Sequence, residues 1–154
     1  MSKRKKNIED FFTEYETNFK DSIAGRLSDL SGIMQHAFAD YIIESTPAGV
    51  SCIKNDETFL KKIRQGQDFY RSIGSKAMSI VSKEVTLLDD FHAMVKIYWR
   101  YAYEKENRSG AIDFHTFYFV RAIGSDIKIF GYIAGDEQKV LKEHGLIERE
   151  LLTQ

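Results

Sequence analysis

The residues from Phe91 to Tyr103 alternate without a break, and that alternation fixes most of what the chain can become. Ala93, Val95, Ile97, Trp99, Tyr101 and Tyr103 fall on one side, and His92, Met94, Lys96, Tyr98 and Arg100 on the other. A period of two in β-branched and aromatic residues is the signature of a strand, because successive side chains of an extended chain leave opposite faces. Ile112 to Ile123 repeats it, with Ile112, Phe114, Thr116, Tyr118, Val120 and Ala122 set against Asp113, His115, Phe117, Phe119 and Arg121. A polar, Gly-containing loop from Glu104 to Gly110 separates the two. Gly124-Ser125-Asp126 turns the chain again and Ile127 to Ala134 returns as a strand. Upstream, Lys76 to Leu88 reads as one more, with Asp89-Asp90 as its turn. Strands joined in succession by short turns make an antiparallel meander.

Neither face of the two central strands is plainly polar. A sheet covered on one side only is wet on the other, yet here the second face carries Met94, Tyr98, Phe117 and Phe119 among its charges. Lysine and arginine stems lying over surface aromatics would account for this. So would a sheet whose back packs on a second copy, and a homodimer through that face is the expectation.

The remaining segments are helical. Asn7 reads as an N-cap with Glu9 and Asp10 in the first turn; Ile8, Phe11, Phe12, Tyr15, Phe19 and Ile23 follow at helical spacing, and Gly25 is the stop. Asp29 to Ala39 predicts a second, shorter helix. Tyr41 to Ile53 is extended and broken by Thr46-Pro47-Ala48-Gly49, where proline argues for a sheet edge or a bend. Asn55-Asp56 caps a third helix, Glu57 to Ile73, with Phe59, Ile63, Tyr70 and Ile73 along one side and Gly74 as its stop. Gly66 in its middle costs about 1 kcal/mol relative to alanine, which points to close approach of another backbone or a ligand. Asp136 opens a short helix through Val140, Leu141 and His144, ended by Gly145. Helices gathered on one face of an antiparallel sheet make an α+β domain. The expected division is a flexible basic arm over residues 1–7, one domain over 8–147 and a loose tail over 148–154.

Composition then excludes several classes. A chain of 154 residues is one domain's worth and can bury a core. A net charge of −1 gives no global attraction to nucleic acid or an anionic membrane. No apolar run is long enough to span a bilayer. Lys3 to Lys6 are followed by Asn7-Ile8-Glu9-Asp10 and not by an apolar core, so they do not read as a secretory signal. The lone Cys52, in an apolar strand, reads as packing; it forms no internal disulfide and points to the reducing cytoplasm. No histidine–carboxylate spacing suggests a metal, and no Gly-rich phosphate loop or nucleophile elbow is present, so no cofactor is expected.

Several local phrases, taken with this order of elements, resemble the nuclear-transport-factor-2-like superfamily, which includes ketosteroid isomerases, scytalone dehydratases and SnoaL-type cyclases. They are Ser28-Asp29-Leu30-Ser31-Gly32-Ile33, Phe38-Ala39-Asp40 followed by Pro47-Ala48-Gly49, and the helix leading into a sheet with Trp99 and the Gly124 turn. The resemblance implies a cone-shaped, curved sheet with N-terminal helices over its concave face, a cystatin-like α+β roll, and a convex back that forms a homodimer. It implies little about chemistry. The ketosteroid isomerase pattern places its general base before Pro-x-Gly, and here that position is Thr46, whose hydroxyl cannot shuttle protons as a tuned carboxylate does. Tyr15 or Phe19 falls where the family's oxyanion-stabilising tyrosine stands, and Tyr118 near its second acid. Both of the family's carboxylates are therefore missing from their places.

On that fold Trp99 and Tyr118 face a pocket, joined by Tyr15, Phe19 and Tyr70 from helices and edged by Thr46 and Thr116. An apolar wall with a few hydroxyls suits a small hydrophobic or aromatic ligand; rings of this size can equally fill the space themselves. Asp113 and His115 share the opposite face and read as interface groups, with His92; His36 and His144 read as ordinary helix residues. The expected function is small-molecule binding. The alternatives are a cofactor-independent isomerase, cyclase or dehydratase, which needs an inward-facing titratable group, and a protein-interaction module using the sheet face.

Overall fold

The computed structural model describes residues 2–24, 31–72, 75–135 and 137–143. Among them are helices α1 (Lys3–Ala24), α2 (Ser31–His36), α3 (Glu57–Ser72) and α4 (Glu137–Glu143). The strands are β1 (Phe38–Thr46), β2 (Gly49–Lys54), β3 (Ser75–Leu87), β4 (His92–Lys105), β5 (Arg108–Ile123) and β6 (Asp126–Ala134). All six join one curved, unclosed sheet in the order β2-β1-β6-β5-β4-β3. The α+β cone expected from the sequence is the fold observed.

The faces follow the alternation. On β4, Ala93, Val95, Ile97, Trp99 and Tyr101 are buried, and on β5 Ile112, Thr116, Tyr118, Val120 and Ala122 join them. Opposite partners such as Val95 with Tyr118 and Ile97 with Thr116 fix the register. α1 closes over this face with Ile8, Phe12 and Tyr15 buried, one helical turn apart each time. It lies along the edge strand β3, where Lys83 donates to Thr13 Oγ1 at 2.6 Å and the Ile80 amide donates to Glu16 at 2.5 Å. An edge strand's free amides invite another chain, and Glu16 occupies one of them.

Four local expectations are corrected. The meander is antiparallel, but β1 pairs with β6 in parallel, with a register shift between Phe38 and Ile43. β1 enters from α2 at the same end as β6 starts, so it can only run beside it. Tyr41 to Ile53 is broken at Pro47-Ala48, as expected, but the two halves are separate strands that pair antiparallel as a hairpin, with β2 at the sheet edge. The loop expected from Glu104 to Gly110 shrinks to Glu106-Asn107, both with positive φ (53° and 64°); that two-residue turn matches the twist of the strands on either side. Finally, α1 starts at Lys3 and not after Asn7. Ser2 caps it, accepting from the Lys5 amide at 3.1 Å, and Arg4 donates to the carbonyls of Asp89 and His92. The basic residues are therefore the first turns of a helix, not a free arm.

The second helix is shorter than expected, because Phe38 and Ala39 already belong to β1. The Asn55 amide donates to the carbonyls of Gln35, Phe38 and Ala39, each at 3.1 Å, and pins that junction. Asp56 caps α3 through the Thr58 amide at 3.0 Å. Cys52 is exposed on the edge strand β2 and is not a packing residue, since Ile53, its neighbour on the opposite face, takes the side packed against the core. The stops at Gly25, Gly74 and Gly145, together with His144 and the tail, lie outside the described residues.

Candidate functional site

Between α1, α3 and the concave face lies a pocket of about 330 Å³. Its floor is sheet: Trp99 from β4, Phe114, Thr116 and Tyr118 from β5, and Tyr132 from β6. α1 contributes Tyr15 and Phe19, and α3 contributes Phe59, Gly66, Gln67 and Tyr70. The residues singled out from the sequence thus meet at one place: Tyr15, Phe19, Thr46, Tyr70, Trp99, Thr116 and Tyr118 all border this space.

The rings meet one another tilted or edge-on. Tyr15 lies 6.4 Å from Trp99 and 6.1 Å from Tyr118, and Phe19 lies 5.6 Å from Trp99 and 6.1 Å from Tyr70, centroid to centroid. Such tilted contacts favour rigid placement. The rings build a wall without filling the space within it.

The hydroxyls behave as neutral donors. Burial raises Tyr15 well above an ordinary phenol, reinforced by the nearby Tyr118 and Tyr132. Burial pushes Tyr118 up to about 12, although hydrogen bonding with Trp99, Tyr15 and Thr116 partly opposes it. Tyr132 is raised as well, first by burial and then by its bond to Glu44. All three stay protonated at neutral pH. Thr46 differs, because its Oγ1 accepts from the Ala48 amide at 3.2 Å and so serves the hairpin turn.

One inward carboxylate was not expected. Glu44 lies two residues before Thr46 on the same face of β1, and its Oε2 accepts from Lys62 at 2.7 Å and from the Tyr132 hydroxyl. Burial alone would raise its pKa; the bonds from Lys62 and Tyr132, with the lysine's charge, lower it on balance. The isomerase-type base position is still Thr46, but the site as a whole does not lack a carboxylate. Period two counted back from Thr46, already assigned to the pocket, could have found Glu44. Tyr132 followed in the same way from β6. Gln67 was visible as a polar residue interrupting the apolar stripe of α3. Of the two readings of Gly66, a nearby backbone or a ligand, the first is removed: a Cβ built there meets nothing within 4 Å. Among the described residues no other backbone approaches it, and it opens onto the pocket.

Asp113 and His115 lie on the convex side. Asp113 is bound by Arg100 through two bonds of 2.8 and 3.0 Å, directly across from it in the ladder, and so does not pair with His115. His92 is held by Asp89 at 2.8 Å, which hydrogen bonds from the Phe91 amide and the His92 ring hold below the usual carboxylate range. Among the described residues no cluster of His, Cys, Asp and Glu could hold a metal ion. A second groove, of about 590 Å³, lies where β1 diverges from β6, and its charges include both signs: Asp40 and Asp126 beside Arg121 and Lys128.

Residues 4–137 match the family model described as "NTF2-like protein (DUF6841)". No curated protein matches the chain. Among solved structures, it is similar to an NTF2-like protein of unknown function from Shewanella oneidensis (15% identity, TM-score 0.64, covering 86% of this chain and 98% of that one). An NTF2-like protein with a cystatin-like fold from Novosphingobium aromaticivorans is also similar (8% identity, TM-score 0.65, 94% and 89% covered). So is a proposed scytalone dehydratase from the same organism (15% identity, TM-score 0.60, 83% and 80% covered). At such identities the likeness is one of fold. No described helix is long and apolar enough to cross a membrane.

Proposed function

This chain belongs to the NTF2-like family DUF6841, and from that premise we propose that it is a cytoplasmic small-molecule-binding domain whose pocket takes a compact hydrophobic or aromatic ligand. The observation that carries this reading is the pocket of about 330 Å³, walled by aromatic rings and bordered by the protonated hydroxyls of Tyr15 and Tyr118. Apolar walls supply affinity, and a few fixed donors supply orientation. Trp99 is the chain's single tryptophan and sits in the wall, so its fluorescence reports occupancy directly. A screen of neutral one- and two-ring aromatics should find compounds that shift Trp99 emission and raise the melting temperature together. Tyr118→Phe, which keeps the ring and removes a neutral donor, should weaken such a compound by about 3- to 10-fold. A protein whose emission no compound moves has no ligand pocket of this kind.

Glu44 supports a second reading, a cofactor-independent enzyme that moves a proton. A carboxylate held ionised beside a protonated Tyr132 is a base next to an acid. Its lowered pKa makes it a weak base as it stands, and a ligand that draws Lys62 aside would raise it. Deuterium exchange at the α-carbon of an enolisable probe, 2-tetralone, followed by NMR, tests this. Exchange that depends on protein and is lost in Glu44→Gln supports it, and exchange at the buffer rate removes it.

A further inference from the structure

Two neighbouring residues of α3 are hard to explain by packing or by helix formation. Gly66 stands in the helix interior on the side that Phe59, Ile63 and Tyr70 turn to the pocket, and a Cβ there would meet nothing within 4 Å. Glycine is the poorest interior helix former short of proline. A larger apolar residue would strengthen the helix and occupy empty space, so both gains are forgone at this one position. Gln67, beside it, is only 8% exposed, and its amide donates to Met34 Sδ at 3.3 Å. A thioether is a weak acceptor. The Gln67 carbonyl oxygen accepts no bond from the described residues, and one amide hydrogen remains unused. That oxygen is not sealed from solvent, so it and the spare hydrogen stay open to a molecule that enters the pocket Gln67 lines.

Resting on the binding reading above, we infer the ligand's chemical class: a flat, neutral molecule with an adjacent donor and acceptor, as on the edge of a lactam, that pairs with Gln67 while its ring occupies the space beside Gly66. The unused N–H and C=O of one planar amide present a donor and an acceptor side by side, which a cis-amide edge matches with two parallel hydrogen bonds. The ring's place is the side of α3 that lacks a side chain. Neutrality follows from the surroundings, since the nearby hydroxyls are protonated and Glu44 is already matched by Lys62.

The test uses 2-quinolone, N-methyl-2-quinolone, which has the same rings with the donor blocked, and naphthalene, each titrated against the full chain by Trp99 fluorescence. The parent should bind 2-quinolone at least about tenfold more tightly than its N-methyl form, the worth of one well-made buried bond. Gln67→Met, similar in length and shape, should erase that preference. Gly66→Leu should weaken both quinolones by about tenfold or more without lowering the melting temperature. Equal affinities in the parent, a preference that survives Gln67→Met, or parent-like binding by Gly66→Leu overturns the inference. So does a Gly66→Leu protein that melts well below the parent, because the space would then not be there. If naphthalene or N-methyl-2-quinolone binds and 2-quinolone gains nothing, only the lactam class fails; if none of the three moves Trp99, the pocket reading falls with it.

Discussion

At the scale of single residues, the side chains brought together at the pocket were legible wherever one period held over a whole element. Two-residue alternation on β4 and β5 gave Trp99, Thr116 and Tyr118, and helical spacing gave Tyr15, Phe19 and Tyr70. Glu44 shares the face of Phe38, Ile42 and Thr46, so the parity of β1 pointed to it; it escaped because a charged side chain in an edge run reads as solvent-facing. Its placement has a consequence for pH. Its folded pKa lies below the ordinary value of 4.5, so its stabilising contribution is fully present above that value and is lost as pH falls through the folded pKa. Glu44→Gln should therefore be less stable than the parent at pH 7, and the gap should close as pH falls below about 4.5. Urea denaturation at several pH values reads this directly. A gap that stays constant across that range would mean that the carboxylate's charge is not what Lys62 and Tyr132 stabilise.

Elements were harder to bound than to recognise. Every strand of the meander lies where the alternation put it, yet the β4–β5 loop was read too long, since Gly110 looked like a turn residue. The turn is made by Glu106-Asn107 in the left-handed region. Asparagine tolerates that region; glutamate gains nothing from it, and the conformation costs an L-residue roughly 1–2 kcal/mol. Glu106→Asn should thus raise stability by up to about 1 kcal/mol with no change in the pocket, measurable as a higher urea midpoint at unchanged slope. The opposite error occurred at the first helix. Asn7 and the acids after it form a persuasive capping sequence, but Ser2 caps one turn earlier and Arg4 binds the β3–β4 connection. That tertiary contact has no local signal. The parallel pairing of β1 with β6 is invisible for a related reason: adjacency in sequence predicts hairpins, and this pair is separated by about half of the chain.

For the whole molecule the open question is what the convex face meets. Part of its apolar character is accounted for within one copy: the Lys96 ammonium lies 4.8 Å from the Tyr98 ring centre and 5.4 Å from that of Phe117. Arg100 and Asp113 neutralise each other beside it. Toward β1 that cover ends. Ile43 is 52% exposed and Ile133 43% exposed, and Ile133 sits directly across from Phe117. These lie on the flank of the sheet beside β1 and away from α1, where a second copy could pack face to face in a self-complementary contact. We propose that this is the homodimer surface. Ile133→Lys changes a side chain already open to solvent, so it should leave monomer stability within about 0.5 kcal/mol. Buried in an interface, the same charge should weaken association by about 2 kcal/mol or more, roughly 30-fold in the dissociation constant. Light scattering behind size exclusion would then give about twice the chain mass of 17.8 kDa for the parent and a single chain for the variant. If the parent elutes as a monomer at all concentrations, the face is free and the interaction-module reading gains; if the variant stays dimeric, the contact lies elsewhere on the sheet.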